Sequence, residues 1–286
     1  MGKVSIVTDS LADIPAGLVE KYNIHVIPIL VMFGQETFRD GVDITPEEFY
    51  RRFRESDELP TTAVPSMIEF VKLYQKLGQE ADGIVSIHIS EHLSATVETA
   101  KVASKELPEI PIRVIDAHST TMAQGFVALE AAKVAAAGGD LKKVAARAEE
   151  MIPKVHVMAM VPTLKYLHRT GRIGRAEYLA GSLLKINPIL HIARDGIVEA
   201  LEKPRTKAKA LKRLLEMTEE MIGSNPAHIA VVHADALDEA ERLRKKVDSR
   251  FNCVELFITE FTPVLGTHTG PGVVGLAFWA ETPEVS

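Results

Sequence analysis

A single cysteine among 286 residues excludes an internal disulfide and any cysteine-based zinc cage. That residue, Cys253, lies in the run Cys253-Val254-Glu255-Leu256-Phe257-Ile258, where it reads as a small hydrophobe on a buried strand. A basic surplus is lacking too. Lys and Arg number 33 against 39 Asp and Glu, a formal charge of -6, so the phosphate-neutralising excess of nucleic-acid binders is missing. Aromatics amount to 6%, with one tryptophan, Trp279, and aliphatic side chains with nine methionines supply most of the apolar volume. The longest helical apolar stretch, Phe126 to Ala137, is broken by Glu130 and Lys133 and is too short to cross a bilayer. Met1-Gly2-Lys3-Val4-Ser5-Ile6 enters a strand without the apolar core of a signal peptide, so the expected location is cytoplasmic.

Several catalytic signatures are absent as well. No Gly-x-Gly-x-x-Gly follows the first strand, no Gly-rich loop ends in Lys-Ser or Lys-Thr, and no Gly-x-Ser-x-Gly elbow supplies a hydrolase nucleophile. His233-Ala234-Asp235 stands without a His-x-x-x-His or Glu-x-x-His partner set, so no metal is expected.

What is present alternates. Val4 to Val7 and His25 to Phe33 read as strands. Thr45-Pro46-Glu47-Glu48 and Ser66-Met67-Ile68-Glu69 each announce a capped helix. Strands at Gly83 to Ile89 and Ile112 to Ile115 then alternate with helices at Ser94 to Leu107 and Thr120 to Ala137, the pattern of crossover units on a parallel sheet. Beyond the helix Leu141 to Met151 the pattern changes. A strand at Val155 to Val161 precedes short helical pieces around Leu164 and Tyr178, then a hairpin turning at Asp195-Gly196. Helices at Thr206 to Ile222 and Ala236 to Arg250 bracket a strand at His228 to Val232, and two strands finish the chain. The expected fold is therefore α/β in two domains. Residues 1–153 form a Rossmann-like parallel-sheet domain, and 154–286 an α+β domain with a mixed sheet.

In open parallel sheets, ligands bind beyond the carboxyl ends of strands. Three hydroxyl-rich segments hold such positions: Thr8-Asp9-Ser10, Ser90 with Ser94, and Asp116 to Thr121. Thr62 is expected in a loop ahead of the Ser66 helix, and His268-Thr269-Gly270-Pro271-Gly272 reads as a tight turn before the last strand, holding an imidazole and a hydroxyl. Each segment alone also fits a helix cap or a strand-entry turn. Together they fit an anion site, which leaves open a stand-alone enzyme acting on a small carboxylated or phosphorylated metabolite.

The same residues carry a resemblance that runs in order along the whole chain. Thr8-Asp9-Ser10, Pro60-Thr61-Thr62-Ala63-Val64-Pro65-Ser66, Ser94-Ala95-Thr96 and Asp116-Ala117-His118-Ser119 resemble successive motifs of the DegV family. So do Leu167-His168-Arg169-Thr170-Gly171-Arg172-Ile173 with Leu184-Lys185-Ile186-Asn187-Pro188-Ile189-Leu190, and the closing His268-Thr269-Gly270-Pro271-Gly272. Two positions depart from that pattern, Ala63 for a common Ser and Ala95 for a common Gly.

The resemblance implies a lipid-binding protein rather than an enzyme, holding a long-chain fatty acid in a buried tunnel between its domains. It nominates Thr62, Ser94 and His268 for the carboxylate, with Thr61 and Thr96 beside them. It further implies a partner, the ATP-binding subunit of a fatty acid kinase, which phosphorylates the presented carboxyl group, and it leaves room for transient membrane contact. Arg172 and Arg205 become candidates for the kinase-docking face, although both also fit ordinary surface cations.

Overall fold

A computed structural model describes residues 3–56, 58–180 and 186–281. The motif residues Leu184 and Lys185 lie outside that set. Strand β1 (Val4–Asp9) is followed by a single 3-10 turn, helix α1 (Ala16–Lys21) and β2 (Ile24–Ile27). The expected strand from His25 to Phe33 is split. Pro28 cannot donate to a ladder, and beyond it β3 (Leu30–Phe33) leaves the first sheet and pairs with β4 (Glu36–Arg39). Helix α2 (Pro46–Glu55) starts from Thr45 as its cap, and β5 (Thr61–Ala63) then closes a small antiparallel sheet of order β4-β3-β5. Sequence patterning did not anticipate this sheet; its strands are only three or four residues long.

Helix α3 (Met67–Gly78) opens on the expected capping box between Ser66 and Glu69. Strand β6 (Gly83–His88), α4 (Thr96–Lys105), β7 (Ile112–Asp116), α5 (Thr121–Ala136) and α6 (Leu141–Met151) follow. The first sheet is parallel throughout, in the order β2-β1-β6-β7.

The C-terminal part comprises β8 (His156–Met160), α7 (Lys165–Arg169), β9 (Ile189–Ile192), β10 (Val198–Glu202), α8 (Lys207–Ile222), β11 (Ala227–His233), α9 (Leu237–Arg250), β12 (Cys253–Glu260), α10 (Pro263–Thr269) and β13 (Val274–Ala280). Six of its strands form one mixed sheet, β10-β9-β8-β13-β11-β12, in which only β11 and β12 run parallel.

Helix α5 explains how the two sheets combine. Every residue from Thr121 to Ala132 is buried, so the helix has no polar face to give to water and fits only between two apolar layers. One side packs on β1 and β6, the other on β8, β11 and β13. With α3 and α4 outside the first sheet and α8 and α9 outside the second, the layering is helix, sheet, helix, sheet, helix. Strand β8 shows the period of two that this needs. Val157 faces the core shared with α5, while Met158 and Met160 face the core under α8 and α9. Among the described residues, no helix is long and apolar enough to cross a membrane.

Candidate functional site

The carboxyl edge of the parallel sheet, α10 and one face of the mixed sheet line a cavity of about 140 Å³ that opens to solvent. Its walls are aliphatic, with Leu11, Ile29 and Ile89 from the segments just beyond the carboxyl ends of β1, β2 and β6, and Val157, Leu190 and Ile192 from the mixed sheet. Thr62, Ser94 and His268, the three residues nominated by the resemblance, all line it.

Each of these three is placed by a local device. Thr62 is the middle residue of β5, not a loop residue, and pairs with Val31 of β3. Ser94 precedes α4, held by the bond from its backbone N–H to the carbonyl of Ser90. His268 lies in the last turn of α10, where a turn before the final strand was expected. This helix forms because Pro263 sits at its first position and Gly270 (φ 71°) ends it in left-handed geometry. Thr267 and Thr269 turn their hydroxyls back onto the carbonyls of Pro263 and Leu265, each at 2.9 Å. Gly266 lets the helix seat on α2, since a Cβ there would come within 2.6 Å of Phe49 Cε1 and 2.7 Å of the Tyr50 hydroxyl.

The hydrogen-bond count defines the chemistry. Thr62 Oγ1 and His268 Nε2 share one bond of 3.1 Å, and His268 Nδ1 is buried with no partner. Burial, with the Arg172 charge as a smaller cause, lowers His268 to about 4, so the ring is neutral at physiological pH. A neutral imidazole and a hydroxyl own two polar hydrogens, and one bond uses one of them. Ser94 Oγ and Thr96 Oγ1 share a second bond of 2.8 Å and leave a hydrogen in the same way. Arg172 is the only Lys or Arg of the lining among the described residues, and its guanidinium is anchored on the carbonyls of Leu93 (3.1 Å) and Thr170 (2.6 Å). No Asp or Glu lines the cavity among the described residues. Spare donors and one cation without a base suit an anion that only accepts hydrogen bonds.

Other expected residues stand apart. Thr61 is exposed at the start of β5, and Thr96 is buried behind Ser94, outside the lining. Arg172, carried over as a docking residue, faces the cavity, whereas Arg205 is exposed. Thr8 and Asp9 are sealed in the core. Asp9 accepts from the backbone N–H of Leu11 and of Ile89 and from His88 Nδ1, at 3.1, 3.1 and 2.9 Å. His88 Nε2 in turn bonds Ser86 Oγ at 2.7 Å, which accepts from the Tyr74 hydroxyl at 2.8 Å. Ser86, His88 and Asp9 thus have the connectivity of a hydrolytic triad, yet all three are wholly buried and none lines the cavity. Ser90 does not reach the cavity either; its hydroxyl donates to the carbonyl of Gly196 (2.9 Å) and ties the β9–β10 hairpin to the first domain. No cluster of three or more His, Cys, Asp or Glu suited to a metal ion occurs among the described residues.

Thr120, Thr121, His191 and Thr269 also line the cavity without having been singled out individually. Behind Thr121, its hydroxyl donates to Asp13 (2.5 Å), and Ser10 donates to Asp40 (2.7 Å). The backbone N–H groups of Thr262 and Val264, at the start of α10, lie against these two carboxyls. Burial nevertheless raises both, Asp40 to about 6.

A family model described as "Uncharacterised protein, DegV family" matches residues 3–281. The chain belongs to the DegV family. Protein DegV of Bacillus subtilis is 36% identical over 277 residues, covering 96% of this chain and 98% of that one. Among solved structures, a fatty-acid-binding DegV family protein from Thermus thermophilus superposes with a TM-score of 0.92 at 32% identity, covering 98% of this chain and 100% of that one. DegV from Bacillus subtilis, described as a fatty acid binding protein, gives a TM-score of 0.92 at 34% identity over 98% and 100% of the two chains. A stearic acid-binding protein from Eubacterium ventriosum gives 0.84 at 25% identity over 98% of each. The two-domain α/β fold expected from the sequence is the fold of these DegV structures.

Proposed function

We propose that this DegV protein binds a long-chain fatty acid, its tail in the cavity and its carboxylate against Thr62, Ser94 and His268, and presents that carboxylate to a separate ATP-dependent kinase. The observation that carries the reading is the pairing of an aliphatic cavity with two spare hydroxyl or imidazole donors and one guanidinium. A carboxylate has two oxygens, accepts only, and must exchange its hydration for fixed donors when buried. Thermus and Bacillus relatives that bind fatty acids support the ligand class.

The transfer step asks little of this chain. A carboxylate oxygen attacks the γ-phosphorus of ATP, an O–P bond forms, the bond to the β-phosphate bridging oxygen breaks, and ADP leaves. The nucleophile is already deprotonated, so no general base is needed, consistent with a lining free of Asp and Glu among the described residues. Arg205, exposed and outside every ion pair among the described residues, is the stronger candidate for the kinase-facing surface, and Arg172 belongs with the carboxylate.

The test is acyl phosphate formation, trapped with hydroxylamine, from the lipid-loaded protein, ATP and the host's acyl kinase. Product that requires both proteins, with Arg205→Ala keeping its lipid but losing product, is the expected result. Turnover without any kinase would overturn the reading in favour of a stand-alone enzyme.

A further inference from the structure

One hydroxyl of the cavity wall is left without a bond. Thr120 lines the cavity, and its Oγ1 is buried with no hydrogen-bond partner. It occupies the cap position of α5 with extended backbone (φ -150°, ψ 179°), yet its side chain does not cap the helix. Thr45, Ser66, Asp140 and Thr206, in the same position on other helices, each accept a bond from their helix. The next residue sets Thr120 apart from these. Thr121 has φ 48°, left-handed backbone that a β-branched side chain rarely adopts, and its hydroxyl donates to the buried Asp13 (2.5 Å). A left-handed residue directly after the cap takes the first N–H groups of the helix away from the Thr120 hydroxyl.

Backbone bonds tie the Thr120 segment to the turn that carries Ser94. The N–H of Ser90 donates to the carbonyl of Ser119, the residue before Thr120 (3.0 Å), and the N–H of Ser94 donates to the carbonyl of Ser90 (3.1 Å). At the far end of the same turn, the carbonyl of Leu93 accepts from Arg172 Nε (3.1 Å). Ser94, Thr120 and Arg172 are thus joined through one turn, Ser90 to Ser94, and all three line the cavity. A carboxylate offers about four lone-pair sites on its two oxygens. The Thr62–His268 and Ser94–Thr96 pairs bring one spare hydrogen each, so the anion has sites left for a further donor. A buried hydroxyl without a partner is unfavourable until a ligand supplies one.

We propose that Thr120 is a further head-group residue, whose hydroxyl donates to the bound carboxylate from the side of Ser94. The inference rests on the fatty-acid reading above and deepens it. It also gives the left-handed backbone at Thr121 a purpose, since that turn leaves the preceding hydroxyl to the ligand instead of the helix. Thr120→Val keeps the volume and removes no capping bond, since none is made; Thr120→Ser keeps the hydroxyl.

Competition binding of saturated acids from decanoate to palmitate, to the full-length wild type and both variants, tests it. Thr120→Val should weaken every acid by the same factor, about 10-fold or more for a lost bond to a charged group, and Thr120→Ser should bind close to wild type. Thermal melting without ligand checks that the variants are folded, and Thr120→Ala repeats the test should Thr120→Val fail to fold. Unchanged binding by Thr120→Val overturns this inference alone. So does a weakening that grows with chain length, which would put the residue beside the tail. Thr120→Ser binding as poorly as Thr120→Val overturns it too, since packing and not the hydroxyl would then be at work. Failure of the wild type to bind any acid overturns the fatty-acid reading together with this one.

Discussion

Shortening the ligand perturbs the complex while leaving the protein untouched, and the structure sets the size of the effect. With walls of Leu11, Ile29, Ile89, Val157, Leu190 and Ile192, each methylene that leaves water gains about 0.8 kcal/mol. Removing two therefore costs about 1.6 kcal/mol, or about 15-fold in Kd. From decanoate to palmitate, log Kd should fall along a straight line of that slope and flatten only once the chain outgrows the cavity. The head contacts should move the line without tilting it. Ser94→Ala removes a donor to a charged group, worth about 1.5–3 kcal/mol, so every acid should weaken by about 10- to 150-fold. Displacement of a fluorescent acyl probe, at acid concentrations below micelle formation, measures both, with thermal melting to confirm that Ser94→Ala is folded. A slope below about threefold per two methylenes would mean that the tail stays in water. A Ser94→Ala line that changes slope would mean that head and tail are not separate contacts.

Asp40 is an acid whose folded pKa, about 6, lies above its ordinary 3.8, so the native chain holds a proton that the unfolded chain has released between those values. Its contribution makes the protein more stable as pH falls from about 6 towards 4 and costs roughly 3 kcal/mol when ionised at pH 7.5. Asp40→Asn should raise stability to urea at pH 7.5 and flatten that acid-side rise; an equal loss of stability at both ends of the range would contradict the assignment. Gly196 has φ 82°, and a Cβ there would overlap Ser90 Oγ. Gly196→Ala should therefore lose about 2–5 kcal/mol of stability and loosen the β9–β10 hairpin that walls the cavity, and an unchanged melting temperature would refute the tie.

Local signals were legible where side chain and backbone interact within a few residues. Thr45, Ser66 with Glu69 and the Asp195-Gly196 turn each announced an element end that the structure contains. The three-stranded sheet was not legible, because Pro28 redirects a continuous apolar run and Thr61 to Ala63 is too short to show alternation. Helix α10 was hidden for a different reason. Gly, Thr and His are weak helix formers, and the segment is helical because Gly266 permits its seat on Phe49 and Tyr50 of α2. Thr62 and His268 are 206 residues apart and meet only through that packing, so no spacing rule could join them. Arg172 read as a surface cation because nothing local shows that its guanidinium is tied to the Leu93 carbonyl.

Denaturing extraction of the purified protein, followed by mass spectrometry, tests most directly whether the cavity between the sheets is an acyl site. The predicted result is a long-chain fatty acid close to one per chain, diminished in a Thr62→Val, Ser94→Ala double variant that remains folded. An extract free of acyl chains, from a protein that also fails to take up added palmitate or oleate, would contradict it.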